Sequence, residues 1–202
     1  MGWYSASQVS DKPHFGFKHS YNWYKELDEM LLLPESACKK AGLPVGKDEE
    51  PKAFYYSSKG EGSYKYYSVY DRTGQVELFN TEDLGGFYML NYMVRDVLRV
   101  DRVPRKLKKA GLLYQIDGWE TVYDLSDHIE KPLPILKEKL EIESGFVTKD
   151  DGYKVGIKSG QYKDEDVKLI GFYLSKFDSF YSVYDVTETK EYRAWKLRNL
   201  FK

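Results

Sequence analysis

One short phrase recurs three times in this chain and limits the folds open to it. It reads Tyr66-Tyr67-Ser68-Val69-Tyr70-Asp71-Arg72-Thr73, then Glu120-Thr121-Val122-Tyr123-Asp124-Leu125-Ser126, then Phe180-Tyr181-Ser182-Val183-Tyr184-Asp185-Val186-Thr187. Each copy is rich in β-branched and aromatic residues, which suit a pleated, half-buried strand. Each ends at Val-Tyr-Asp-x-(Thr/Ser), where an Asp side chain can turn back onto its own backbone and close the strand. A helix-like segment follows. Read as duplication, the chain is two or three degenerate β-β-α units sharing a sheet. Read locally, Val-Tyr-Asp is a good strand ending and no more. Both readings predict an α+β fold, with antiparallel β-meander sheets covered by four or five helices.

Taken in order, residues 1–50 are expected to form an N-terminal helical segment and residues 51–202 an α+β body, either as two parts or as a single domain overall. Ser20 or Asn22 caps a helix running to Leu33, with Trp23, Leu27, Met30 and Leu31 on one side. Pro34 opens a short second helix that stops at Gly42. Strands are predicted at Ala53–Ser57, Ser63–Asp71 and Gln75–Phe79, the last two joined by a hairpin turn at Asp71-Arg72-Thr73-Gly74. A long helix is predicted from Asn80 or Thr81 to Val100. It places Asn91, Arg95, Asp96 and Arg99 on a polar side and Leu84, Phe87, Val94, Val97 and Leu98 on an apolar one. Further helices are expected from Pro104 to Gly111 and from Pro132 to Glu143, and a strand at Leu112–Ile116. A hairpin is expected around Asp150-Asp151-Gly152, strands at Val167–Lys176 and Phe180–Val186, and a basic helix at Glu188–Phe201.

Charge and cysteine content bear on function by exclusion. The chain has 202 residues, with 31 Lys and Arg against 32 Asp and Glu, so no global field draws it to nucleic acid or to an anionic membrane. Cys38 is the only cysteine, which rules out an intrachain disulfide and suits a reducing, cytoplasmic setting. The first residues lack the basic and apolar regions of a secretory signal, and no run has the roughly 18 apolar residues of a membrane span.

Candidate chemistry is sparse. Cys38 has Lys39 and Lys40 beside it, yet a structural thiol is the plainer reading. His14, His19 and His128 do not have zinc-site spacing, and no phosphate-cradling glycine loop is present. No metal or cofactor is therefore expected. Asp71, Asp124 and Asp185 recur at equivalent places and either converge as paired acids or close three separate turns.

Two features are left for function. The first is aromatic. Tyr occurs 19 times, and alternation places Tyr64, Tyr66 and Tyr70 on one face of a strand. With Tyr181 they make the expected partner face of a non-enzymatic protein-binding or assembly module, a profile that fits a viral or mobile-element accessory protein, and an enzyme of unrecognised family is the third reading. The second is basic. Arg102, Arg105, Lys106, Lys108 and Lys109 stand close together, with Arg193 and Lys196 on the last helix, and they suit a nucleic-acid surface as the alternative.

Overall fold

In a computed structural model, the chain is described over residues 4–16, 30–57, 65–115, 118–138, 140–176 and 179–199. It divides into two compact units. One is Met1–Leu78 with Gly111–Thr121, and the other is Phe79–Ala110 with Val122–Lys202. Residue 50 lies inside the first.

Among the described residues, twelve strands and four α-helices make a mixed α+β fold. The strands are β1 (His14–Gly16), β2 (Leu32–Pro34), β3 (Ala53–Ser57), β4 (Lys65–Asp71), β5 (Glu77–Phe79), β6 (Tyr88–Leu90), β7 (Lys109–Gln115), β8 (Gly118–Asp124), β9 (Ile135–Leu136), β10 (Phe146–Thr148), β11 (Lys168–Leu174) and β12 (Phe180–Asp185). The helices are α1 (Glu35–Ala41), α2 (Asn91–Leu98), α3 (Lys149–Val155) and α4 (Lys190–Asn199). They form three four-stranded sheets, ordered β1-β3-β4-β2, β5-β7-β8-β6 and β9-β11-β12-β10.

Each Val-Tyr-Asp phrase pairs antiparallel with a short strand in the same register. Leu32, Leu33 and Pro34 face Asp71, Tyr70 and Val69. Tyr88, Met89 and Leu90 face Asp124, Tyr123 and Val122. Phe146, Val147 and Thr148 face Asp185, Tyr184 and Val183. Every one of these short strands runs straight into a helix, α1, α2 or α3. The helix therefore precedes the two long strands of its sheet, where the β-β-α order expected from sequence put it after them.

Alternation explains the burial in the first unit. Leu32 and Val69 pack with Ala53 on one side. Their neighbours Leu33 and Tyr70 pack with Ala37, Cys38 and Leu112 on the other. Adjacent strand residues point to opposite faces, so this sheet is buried on both. In the second unit, Val147, Val155, Ile157, Tyr184, Val186 and Tyr192 form a core that joins β10 and β12 to α3 and α4.

Several predicted elements are corrected. The helix ending at Leu33 lies mostly outside the described residues, and its end is strand β2. The long helix from Asn80 is a short 3-10 turn (Thr81–Asp83), strand β6 and then α2 alone. Gly85 at φ +92° and Gly86 at φ +58° break it, since left-handed residues cannot continue a right-handed helix. Residues after Pro104 form a turn, Leu107 N–H donating to Pro104 O, and the chain enters β7 at Lys109. The Pro132 helix is replaced by β9, parallel to β11, with Pro134 O accepting the Phe172 amide. Asp150-Asp151-Gly152 is no hairpin turn. Thr148 Oγ1 accepts the Asp151 amide at 3.3 Å, which makes Thr148 the N-cap of α3 with two acids in its first turn. The turn at Arg72–Gln75 does form, with Gly74 at φ +70°, but β4 and β5 belong to different sheets. Strands β3, β4, β11 and β12 and helices α1 and α4 fall where the pattern placed them.

Candidate nucleic-acid interface

The three recurrent aspartates are turn formers. Asp71 Oδ1 accepts the Thr73 amide at 2.9 Å and the Thr73 hydroxyl at 2.6 Å. Asp185 Oδ1 does the same with Thr187, at 2.9 and 2.7 Å. Asp124 Oδ1 accepts the Ser126 amide at 2.9 Å. Each carboxylate thus ends its strand on the residue two ahead. Among the described residues no three His, Cys, Asp or Glu side chains are grouped to hold a metal. His19 and the side chain of His14 lie outside the described residues.

The basic segment behaves differently. Helix α2 ends at Arg99 and the chain turns through Asp101–Lys108 into β7, beside Tyr123 of β8. This path creates a depression of about 440 Å³ in the second unit. Arg95, Arg102, Arg105 and Lys109 line it, with Asp101 the one acid and with Asn91, Val103, Pro104 and half-buried Tyr123 supplying a polar amide and an apolar floor. Desolvation lowers the pKa of Lys109.

Beside it lies a second cavity of about 430 Å³, which shares Arg95 and Asp101 as lining. Its ionic groups are largely committed to the fold. Lys149 Nζ stands 2.6 Å from Asp96 Oδ1, and the Ser182 hydroxyl donates to Asp96 Oδ2 at 2.5 Å. The Lys149 ammonium also sits 6.0 Å from the Tyr162 ring and 5.8 Å from the Tyr184 ring. Burial pushes both tyrosine hydroxyls well above their ordinary range, and the Asp96 charge adds to this at Tyr184. Tyr162 donates to Lys149 O at 3.0 Å, crossing α3 at Gly152. A Cβ on Gly152 would lie 1.8 Å from that hydroxyl, which is why a helix interior carries glycine there.

Arg99 closes the other wall. Its guanidinium donates to the carbonyls of Lys163, Asp164 and Val167 at 2.9, 3.2 and 3.0 Å. Its backbone is left-handed, at φ +55°, where α1 and α3 end on Gly42 and Gly156. Among the described residues it is the one non-glycine with positive φ.

Of the seven cations expected at a nucleic-acid surface, three converge in the depression: Arg102, Arg105 and Lys109. Lys106 is exposed but lines neither hollow. Lys108 is held by Asp124 at 2.6 Å. Arg193 of α4 pairs with Glu188, which precedes the helix, and Lys196 stands over the Tyr192 ring. Arg95 and Tyr123 escaped that selection, although the helical period had already set Arg95 on one side with Asn91 and Arg99. Of the tyrosines, Tyr70 is buried, Tyr66 is half-buried against Tyr56, and Tyr181 is 42% exposed. Tyr64 lies outside the described residues.

No helix among the described residues is long and apolar enough to cross a membrane. No protein-family model, curated protein or solved structure matches the chain.

Proposed function

We propose that this protein binds nucleic acid through the depression lined by Arg95, Arg102, Arg105 and Lys109. One observation carries the reading. In a chain of net charge −1, four cations face one acid around a single hollow that also presents an aromatic ring. Phosphates are held by such cations without regard to sequence, and Tyr123 offers a ring on which a base can stack. The matched registers of the three short strands further support reading the chain as three copies of one strand–helix–strand–strand unit. In that reading the basic segment is a feature of the middle copy.

The test is fluorescence anisotropy with a labelled oligonucleotide over a salt series. Binding weakens linearly in log salt, and Arg102→Glu with Arg105→Glu and Lys109→Glu abolishes it. Affinity independent of salt, or unchanged in that variant, refutes the proposal. A tyrosine-based assembly face keeps one supporting point, the exposed ring of Tyr181. Self-association that persists at high salt and fails in Tyr181→Ser would favour it.

A further inference from the structure

The basic lining does not end at Arg95. Across Arg95 and Asp101 the second cavity adds Arg99, Lys149 and Lys163, with Asp96 as its further acid. Two of these cations are spent, Arg99 on three carbonyls and Lys149 on Asp96. Lys163 is not so constrained. It meets Asp101 at 2.9 Å in a pair whose side chains are 54% and 90% exposed. An exposed pair of this kind is weak, so Lys163 can exchange Asp101 for a backbone phosphate at little cost.

We infer that a single nucleic-acid strand runs through both hollows, one phosphate among Arg95, Arg102, Arg105 and Lys109 and a neighbouring one on Lys163. This rests on the nucleic-acid reading above. The concavity selects the single strand. Each hollow has the volume of a small-ligand site, which takes a nucleotide unit. A rigid duplex is too wide to enter either hollow and meets only the exposed rim of this lining, whereas a flexible strand can bend into both. Asp101 is the acid common to both hollows, so it opposes the strand and occupies Lys163 until a phosphate displaces it.

The full chain is titrated with labelled oligothymidylate and oligouridylate of about two and about ten nucleotides, and with a duplex of the greater length. The longer strand, in whichever sugar is preferred, binds about tenfold more tightly than the shorter. Lys163→Ala removes that advantage, leaves the short strand unaffected and lowers the salt slope of the long one by about 0.7. Asp101→Asn tightens the long strand several-fold. Both sites are exposed, so folding is not at stake. Equal affinity at both lengths, a long strand indifferent to Lys163→Ala, or a duplex that binds as well as the strand overturns the inference while leaving the basic depression standing. Failure of every oligonucleotide to bind overturns both.

Discussion

The Lys108 ammonium lies 2.6 Å from Asp124 Oδ2, while Asp124 Oδ1 holds the Ser126 amide. Lys108 is thereby taken out of the basic cluster in which it stands in sequence. The Asp124 carboxyl, 9% exposed, is held down to about 2 by the Lys108 ammonium first and the Ser126 amide second.

Lys108→Ala is expected to leave oligonucleotide affinity nearly unchanged, whereas Arg105→Ala lowers it. Asp124→Ala is expected to cost about 1–3 kcal/mol in urea unfolding, since it removes a charge-assisted hydrogen bond to the Ser126 amide and the ion pair with Lys108. A depressed carboxylate stabilises above its unfolded pKa and loses that contribution as protons bind. The difference between wild type and Asp124→Asn therefore holds at neutral pH and fades as pH falls from 3.8 towards about 2.

Asp71 and Asp185 do the same work with threonine partners. Asp185→Ala and Asp71→Ala should each lower stability by about 1 kcal/mol, with Asn restoring most of it because its amide oxygen can accept the same backbone N–H. A variant pair with no change in denaturation midpoint would mean that these turns hold themselves without the side chain.

Arg99 sets two effects against each other. Glycine relieves the left-handed backbone but loses the three carbonyl contacts, and alanine loses the contacts while keeping the strain. Arg99→Gly is expected to be more stable than Arg99→Ala by about 1 kcal/mol, and both less stable than wild type, as read by thermal unfolding.

Arg72 is buried and forms a two-pronged contact with Glu49, at 2.5 and 3.0 Å, and also donates to Asp71 O. Glu49 is partly exposed, so water cushions its loss. Glu49→Gln is expected to cost about 1–2 kcal/mol, and Arg72→Met more, because the guanidinium also satisfies a backbone carbonyl. A double-mutant cycle isolates the pair. A coupling indistinguishable from zero would place the cost in packing alone.

Short-range chemistry is what the sequence by itself determined. The Val-Tyr-Asp-x-(Thr/Ser) ending works through a side chain and an amide two residues apart, so it needs no distant partner, and β4, β8 and β12 all end where it stands. Runs of β-favouring residues placed β3 and β11, and Gly42 stopped α1, for the same local reason. Only the tertiary structure decided what depends on remote partners. Asp150-Asp151-Gly152 fits a hairpin turn or a helix start equally well, and Tyr162 packed over Gly152 settles it as helix. The residues after Pro132 form a strand because β11 is there to receive it. The basic cluster was legible as composition but not as a site. Asp124 withdraws Lys108 across 16 positions of sequence, and helix α2 brings Arg95 into the same lining as the segment that follows it.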